Sequence, residues 1–453
     1  MLIASKLYIV WLTLLIAVEI QAREALKPKP DVEQIVKDIN DLHIDEPNER
    51  AGAPCQLDVQ QDLPGTQRVQ PLYLKPHRDS YWQPNEDGLL EVPRGASIEL
   101  YCSRAFANAS SDGAIDARQR SIYARCEHDR TFAWSGGKRE LGDFSCTQQL
   151  KYVAERMEGR TCGDAAVSPG ARIYRVGYNI SESRFVRTLE LCHDATQLRT
   201  LYANYQLTPA NVHFQQRMKR VKFSAAGHFV GYNMERLYAQ QYQAKRAAQL
   251  LQQPELAAKL FDKKRGLFLS RGHLATKSDL IYASQQRSSF TYLNAMPQWQ
   301  SLNGGNWATL ETKTRLFVQS EKLTVNVYTG AYGVMPLTDE AQTSFYLLTD
   351  DNNKAVLPVP RLFYRVLIDT KQPKRGLAIL GVNNPHATLQ QILDSYVICE
   401  QLQPELIPWL RPLQETDLKK GYLYACRVSD LAKVVTDLPA QLREVHELLT
   451  TSQ

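Results

Sequence analysis

Eight cysteines, none of them spaced as a Cys-x-x-Cys pair, constrain this chain more than any other feature of its sequence. The missing pair spacing argues against a structural zinc site, and an even number of cysteines in an exported chain favours disulfides. The spacing favours four bonds that each stay within a local segment, although the pairing itself is left open. The cysteines are Cys55, Cys102, Cys126 and Cys146, then Cys162 and Cys192, and then Cys399 and Cys426.

The start of the chain indicates export. Lys6 precedes an apolar run over residues 7–18, and the small residue Ala22 follows shortly after it. This pattern predicts a signal peptide over residues 1–22. The alternative is a membrane anchor, but spanning needs roughly 20 apolar residues and Glu19 ends this run early. We therefore expect a secreted, extracellular protein with no membrane segment in its mature form.

Two further features fit an exported protein. Residues 23–50 are polar and charged, which is typical of a linker or a propeptide. Triplets that begin at Asn108 and Asn179 match the N-glycosylation acceptor pattern, so a glycoprotein is expected. The formal net charge of +6 is a mild excess that permits a polyanionic partner without proving one.

The 453 residues are enough for two or three domains. Residues 51–155 carry short alternating segments separated by turn residues, which predicts a small β-rich N-terminal domain stapled by two disulfides. Residues 165–445 mix strand and helix periods and form the second predicted domain. The expected fold class is α+β with a mixed or antiparallel sheet.

Periodicity predicts individual elements of the second domain. The residues at 307, 310 and 317 lie on one face of a predicted helix, where Trp307, Leu310 and Phe317 suit a core better than a base-stacking platform. Strands are expected over residues 201–207, 267–273, 323–329 and 361–369 and from about 377, and helices over residues 233–251, 306–318, 389–396 and 439–449.

Three sequence blocks concentrate the residues suited to chemistry. The first is Ser270-Arg-Gly-His273, the second is Asn294-Ala-Met-Pro-Gln298, and the third is Leu302-Asn-Gly-Gly-Asn-Trp-Ala-Thr-Leu-Glu311. A strand that ends in Arg-Gly-His, a connecting loop and a helix that opens near Asn303 could bring these side chains together. Glu311 and Arg315 are four residues apart on that helix and share a face.

These blocks resemble the DNA/RNA non-specific endonucleases of the ββα-metal type, the family that includes endonuclease G. The usual signature is Asp-Arg-Gly-His, then Asn-x-x-Pro-Gln, then Leu-Asn-x-x-x-Trp-x-x-Leu-Glu. The similarity spans about residues 165–435. The extra cysteine-rich N-terminal region and the exported context look more like the secreted invertebrate nucleases.

The resemblance implies an enzyme that cuts DNA and RNA with little sequence preference and leaves 5′-phosphate ends. It also implies Mg²⁺, with Mn²⁺ as a substitute, and a homodimer as a further expectation. His273 would be the general base, because imidazole titrates near neutrality. Asn303 would bind the metal directly, and Glu311 would hold one of its waters.

The remaining roles concern charge and orientation. Arg271 and Arg315 would neutralise the charge that develops on the phosphate. Asn294 is counted with the catalytic set because its block is part of the signature. An upstream arginine contacts phosphate in the family, and the candidates here are Arg217 and Arg220, within a basic run that could equally be a solvated face.

The chain departs from the signature at Ser270, where the family usually has aspartate. Serine can accept a hydrogen bond but carries no charge, so the activity or its pH profile is expected to differ. This keeps an alternative function open: a catalytically weak nucleic-acid-binding protein of the same fold that acts in uptake or sensing. Cys126 and His128 could suggest a metal site, but disulfide use of Cys126 is the preferred interpretation.

Overall fold

The computed structural model describes residues 52–64, 68–107, 115–116, 118–338, 343–411 and 417–451. The predicted signal peptide, the predicted linker or propeptide over residues 23–50 and the triplet at Asn108 lie outside the described residues. Within the described residues, no helix is both long enough and apolar enough to cross a bilayer.

Strands dominate the described chain. The strands are β1 (Cys55–Asp58), β2 (Leu72–Leu74), β3 (Leu89–Val92), β4 (Ser97–Tyr101), β5 (Ser121–His128), β6 (Thr131–Trp134), β7 (Gly137–Glu140), β8 (Val153–Thr161), β9 (Ala171–Asn179), β10 (Phe185–Asp194), β11 (Arg199–Leu207), β12 (Leu269–His273), β13 (Ala295–Trp299), β14 (Val325–Tyr332), β15 (Tyr346–Thr349), β16 (Ala355–Pro358), β17 (Leu362–Asp369), β18 (Arg375–Val382), β19 (Leu423–Cys426) and β20 (Glu447–Leu448). The α-helices are α1 (Met234–Leu237), α2 (Gln240–Leu251), α3 (Pro254–Leu260), α4 (Ala283–Ser288), α5 (Gln300–Asn303), α6 (Asn306–Ser320), α7 (Leu389–Ser395) and α8 (Val428–Val434).

A long central sheet organises the larger part of the chain. Its strands follow the order β19-β18-β17-β14-β11-β10-β9-β8, and every neighbouring pair on this path is antiparallel. β20 adds a short parallel pairing at the end of β18. β17 is buried along its whole length, because both faces of the sheet are covered. The α+β expectation with a mostly antiparallel sheet is confirmed.

Helix α6 covers one face of this sheet. Trp307, Leu310 and Phe317 are buried in a core with Val327 and Leu367 from the sheet. This confirms the predicted apolar helix face. The opposite face packs against α7 and α8, where Ile392 and Leu431 join a second core.

The N-terminal region forms its own five-stranded sheet in the order β2-β4-β5-β6-β7. Its core extends to residues of the larger part of the chain, including Tyr178 and Tyr282. The ring of Tyr282 lies 5.4 Å from that of Tyr73 and 6.0 Å from that of Tyr81. Burying three tyrosine rings against one another ties the N-terminal sheet to the strands and helices that carry the candidate site.

All eight cysteines are paired within local segments, as the spacing predicts. The bonds are Cys55–Cys126, Cys102–Cys146, Cys162–Cys192 and Cys399–Cys426. Two of them lie in the β-rich N-terminal region. Because Cys126 is disulfide-bonded, a metal site that uses its thiolate with His128 is excluded.

Two predicted helices differ in the structure. The prediction over residues 439–449 is wrong: a 3-10 turn at Ala440–Glu444 leads into β20, because the amides of Glu447 and Leu449 donate to the carbonyls of Lys374 and Gly376 at an open sheet edge. The helix predicted over residues 233–251 is split into α1 and α2. The buried amide of Gln243 donates to the Tyr238 carbonyl at this break.

His193 makes the stability of the fold depend on pH. The ring is buried, and Nδ1 lies 2.8 Å from the hydroxyl of Thr200, which donates to the Leu293 carbonyl. Burial lowers the pKa of His193 to about 3, against the opposing effect of Asp194. Between pH 6.5 and 3 the unfolded chain therefore binds a proton that the folded chain refuses, so this contribution to stability is lost as the pH falls.

We expect His193→Gln to make the free energy of unfolding less dependent on pH between 6.5 and 4. The slope should flatten by about 1.4 kcal/mol per pH unit, the equivalent of one proton. Urea unfolding at several pH values measures this slope. His446→Gln, at an exposed histidine, is the control, and equal slopes in the two variants would contradict the explanation.

Candidate active site

The three sequence blocks fold into one strand–strand–helix unit. β12 pairs antiparallel with β13, which places Ser270 opposite Gln298 and His273 opposite Ala295. The chain then continues into α5 and α6. Gly272 is required at this position because a Cβ there would meet the side chain of Gln298 at 2.5 Å.

The imidazole of His273 is half-buried between two aromatic rings. The centroid of Phe223 lies 4.8 Å away and that of Phe290 lies 4.9 Å away. Nε2 is buried without a hydrogen-bond partner among the described residues. Nδ1 is not fully buried, and it makes no hydrogen bond with a described residue. It is therefore the ring nitrogen that water can reach.

The surroundings of His273 keep the ring neutral. Burial lowers its pKa to about 3, and the positive charges of Arg220 and Lys277 act in the same direction. The ring therefore carries a free lone pair throughout the ordinary pH range. This is the protonation state that a proton acceptor needs.

Arg271 lies in a box of aromatic rings. Its guanidinium carbon is 5.8 Å from the centroid of Phe223, 5.4 Å from that of Tyr238 and 5.7 Å from that of Tyr292. Nε is buried and has no hydrogen-bond partner among the described residues, whereas the two terminal nitrogens are not buried. Since Arg271 and His273 both contact Phe223, the two side chains lie on the same face of β12.

Asn303 is held by Ser270, the residue that precedes Arg271 on β12. The Asn303 Nδ2 donates to Ser270 Oγ at 2.8 Å, and this hydroxyl donates to the Gln298 carbonyl at 2.9 Å. The Asn303 Oδ1 accepts no hydrogen bond from a described residue. Ser270 therefore fixes the amide with its NH₂ group inward and its carbonyl oxygen free.

Glu311 is a half-buried carboxyl near the start of α6. Burial raises its pKa to about 7, and the charge of Asp279 adds to this effect. Arg365, Arg315 and a hydrogen bond from Thr276 act in the opposite direction. The carboxyl is therefore poised to gain its full charge when a cation approaches.

Arg315 is part of a buried charge network centred on Asp279. Its Nη1 donates to Asp279 at 2.7 Å, and Arg365 Nη2 donates to the other carboxylate oxygen at 2.6 Å. The Tyr205 hydroxyl donates to that second oxygen at 2.7 Å. Burial alone would raise the pKa of Asp279, but the two arginines hold it below its usual range.

Asn294 is buried and points into the protein. Its amide donates to the carbonyls of Ala275 and Ser289 and accepts from the amide of Ala275. These bonds tie the chain after His273 to the segment that enters β13. The side chain therefore shapes the connection between the two strands.

The two arginines of the basic run have different surroundings. Arg220 acts electrostatically on both His273 and Lys277, so it lies beside the imidazole. Arg217 lines a groove whose described lining includes neither Arg220 nor His273. The Lys277 Nζ donates to the Met218 carbonyl at 3.1 Å, which attaches this run to the loop after His273.

Comparison with known proteins decides the family. The family model for DNA/RNA non-specific endonucleases matches residues 169–431, which is more than half of the chain. The chain belongs to this family. It is a nuclease family, and the match includes all three blocks of the strand–strand–helix unit.

Salivary proteins are among its relatives. A salivary endonuclease of Lutzomyia longipalpis is 26% identical over 330 residues, which covers 71% of this chain and 70% of the relative. The salivary protein Tsal1 of Glossina morsitans morsitans is 22% identical, covering 83% of this chain and 88% of the relative. A chain from the crystal structure of the EndoG/EndoGI complex aligns with a TM-score of 0.30 and 19% identity, covering 43% of this chain and 71% of that chain.

Several residues of this family member were given no role from its sequence. Asp279 and Arg365 neutralise each other beside Glu311, and Phe223, Phe290 and Tyr238 enclose His273 and Arg271. Arg365 had a detectable signal, because a charged residue inside the apolar strand β17 must find a buried partner.

The donors on this unit suit a hard cation that keeps most of its water. The described residues contain no group of three or more His, Cys, Asp or Glu side chains that could hold a metal. Instead, Asn303 at the end of α5 has a carbonyl oxygen without a partner among the described residues, and the carboxyl of Glu311 lies on the next helix, α6. One direct oxygen ligand and one carboxylate acting through water fit Mg²⁺, which dehydrates reluctantly.

Proposed function

We propose that the chain is a secreted, Mg²⁺-dependent endonuclease that hydrolyses phosphodiester bonds of DNA and RNA and leaves 5′-phosphate ends. The observation that carries the proposal is a neutral imidazole with an accessible Nδ1 on the same strand–strand–helix unit as an amide whose carbonyl oxygen is left free by Ser270. Disulfides suit an oxidising, extracellular compartment. The homodimer stays a prediction.

Binding of the phosphate falls to two arginines. The terminal nitrogens of Arg271 make no hydrogen bond or ion pair with a described residue, and the surrounding aromatic rings hold the guanidinium in place. Arg220 is exposed beside His273. Both can donate charge-assisted hydrogen bonds to phosphate oxygens, and Arg220 suits this role better than Arg217.

His273 would take the proton of the attacking water at Nδ1. The water oxygen then bonds to phosphorus while the bond from phosphorus to the 3′ oxygen breaks, and that oxygen takes a proton from solvent. A ring with a pKa of about 3 is a weak base in the free protein. An anionic phosphodiester beside the ring stabilises the imidazolium and raises this pKa when the substrate binds.

Asn303 would hold the cation through Oδ1, and Glu311 would hold one of its waters. Bound Mg²⁺, or Mn²⁺ in its place, would stabilise the negative charge on the phosphate and on the leaving 3′ oxygen. The contacts of Asn294 and the pairing of Arg315 with Asp279 suit positioning roles. Contacts directed to phosphate rather than to base edges carry little sequence preference.

The test uses purified protein with plasmid DNA and with double-stranded RNA, first with Mg²⁺ and then with EDTA. Metal-dependent cleavage of both substrates that is lost in His273→Ala and kept in His446→Ala supports the proposal. Binding without cleavage by the wild-type protein would contradict it and would favour the uptake or sensing function.

Ser270→Ala should weaken the response to Mg²⁺. Without the hydroxyl, the Asn303 amide loses the partner that fixes its orientation, and changes of this kind cost about 10–100-fold in metal affinity. The Mg²⁺ concentration for half-maximal cleavage should rise by that order, while the rate at saturating Mg²⁺ changes little. Ser301→Ala, whose hydroxyl makes no hydrogen bond with a described residue, is the control, and an unchanged Mg²⁺ titration for Ser270→Ala would refute this role.

A further inference from the structure

A second feature near the site is a groove of about 570 Å³ between the N-terminal region and the larger part of the chain. Asp58, Gln60 and Arg68 line one wall, which belongs to the N-terminal region. The facing wall consists of residues 215–219 and helix α4. The groove is thus built jointly by the two parts of the chain.

The two walls are fixed to each other by one buried amide. Gln215 Nε2 donates to the Val59 carbonyl at 2.7 Å, and Gln215 Oε1 accepts from the Ala283 amide at 2.7 Å. This side chain therefore bridges the N-terminal region and the start of α4. Because the Gln215 side chain is buried and both ends of its amide are hydrogen-bonded, the width of the groove is set before any ligand enters.

The groove is basic. Arg217, Lys219 and Arg287 line it, and none of the three forms an ion pair with a described residue. Asp58 is the one acidic residue among the described lining residues, and its Oδ1 is occupied by the amides of Gln60 and Gln61. A concave surface with unpaired cations attracts a polyanion.

The groove lies within reach of the imidazole along the chain. Arg217 lines the groove and Arg220 lies beside His273, and three residues of chain span at most about 10 Å. Phosphates of one strand are spaced by about 3.4 Å along a duplex, so a few consecutive nucleotides cover this distance. The exposed glutamines that line the groove, Gln61, Gln149 and Gln216, can donate hydrogen bonds to phosphate and sugar oxygens without contacting the base edges.

We propose that this groove binds the sugar–phosphate backbone of the nucleic acid on one side of the scissile bond, so that the N-terminal region forms part of the substrate-binding surface. The inference rests on the proposed function. It assigns the N-terminal region a role in affinity for long substrates, separate from the chemistry at His273.

The test measures binding of a 30-base-pair duplex by fluorescence anisotropy in EDTA, with every protein carrying His273→Ala so that nothing is cleaved. Arg217→Gln with Lys219→Gln should lower the slope of log affinity against log salt by about 2, which is on the order of 30-fold in affinity at 0.15 M salt. The control is Lys371→Gln with Lys374→Gln, which removes the same charge at two exposed lysines outside the groove.

The N-terminal wall is tested by adding charge. Gln60→Glu with Gln61→Glu should weaken duplex binding at least tenfold, and Gln252→Glu with Gln372→Glu, at exposed glutamines elsewhere, should not. Duplex affinity and salt slope equal to the controls in both groove variants would overturn the proposal. So would loss of heparin binding with duplex binding unchanged, since the groove would then serve another polyanion.

Failure of the endonuclease proposal and failure of the groove proposal give different results. If the wild-type protein binds duplex through the groove but does not cleave it with Mg²⁺, the endonuclease proposal fails and the groove stands. If the wild-type protein cleaves and the groove variants bind as their controls do, the groove proposal fails alone. Thermal melting of each variant, whose changed side chains are at least partly exposed, verifies the fold.

Discussion

His273→Ala should lower the rate of the cleavage step by about 10²–10⁴-fold and leave duplex affinity almost unchanged, since a positioned general base contributes on this scale. The ring contacts Phe223 and Phe290 and carries no charge at neutral pH, so its loss removes a proton acceptor and no phosphate contact. Single-turnover cleavage of a labelled duplex, with anisotropy for binding, separates the two effects. His446→Ala is the control, and an equal fall in affinity and rate would contradict the role as base.

The pH dependence of kcat/KM gives the same residue a second readout. Burial, with Arg220 and Lys277, lowers the pKa of His273 to about 3, so the base form survives as the pH falls below 6.5. Activity attributable to this group is lost only as the pH falls through that lowered value in the free enzyme. The measurement is made with Mg²⁺ saturating at every pH, so that the pKa of about 7 of the Glu311 carboxyl does not limit metal binding. An acid limb centred on the ordinary value of 6.5 under these conditions, where circular dichroism shows the fold intact, would contradict the environment described for His273.

Asp279→Asn should lower the free energy of unfolding by about 3–5 kcal/mol, the usual cost of removing one partner of a buried ion pair. Asp279 and Arg365 are both fully buried, and Arg315 is nearly so. An amide keeps the shape but leaves two guanidinium groups without a counter-charge. Urea unfolding at neutral pH measures the loss.

The control for this prediction is Asp430→Asn. Asp430 pairs with Lys433 at 2.9 Å on the surface, and the lysine side chain is 68% exposed. Such pairs contribute roughly 0–1 kcal/mol. If the two variants lose the same free energy of unfolding, the buried network does not stabilise the fold in the way described.

Much of the fold could be predicted from short-range patterns in the sequence. The apolar spacing of Trp307, Leu310 and Phe317 predicted α6 and its buried face, because helical periodicity is a local property. Asn303 ends α5 and Glu311 lies on α6, so the spacing predicted that the two residues are near each other along the chain but not the break between the helices at Gly304 and Gly305. The grouping of the cysteines predicted four disulfides that each stay within a local segment, as the structure has them.

Long-range contacts could not be found in this way. Asp279, Arg315 and Arg365 meet across three elements, and Phe223 reaches β12 from a segment that precedes α1. Such meetings depend on tertiary packing, which no local pattern encodes. The C-terminal helix over residues 439–449 failed for the same reason, since the open edge of β18 offered hydrogen bonds that outweighed helix propensity.

Ser270 shows how a departure from a signature can be interpreted only in three dimensions. The sequence shows only that Ser270 lacks the negative charge of the aspartate in the family signature. In the structure its hydroxyl links Asn303 to the backbone of β13 and leaves the amide oxygen free. The serine can thus orient the proposed ligand, although it cannot supply the negative charge of the usual aspartate.

Catalysis as proposed requires that Asn303 Oδ1 binds a divalent cation beside the phosphodiester that faces His273. A crystal structure of the His273→Ala protein with Mn²⁺ and a short duplex tests it directly, because anomalous scattering locates the ion. We expect an ion about 2.1 Å from Asn303 Oδ1, with a carboxylate oxygen of Glu311 hydrogen-bonded to one of its waters and a phosphate oxygen near it. An ion that is bound elsewhere and does not contact Asn303, with the phosphate away from β12, would contradict this role of Asn303.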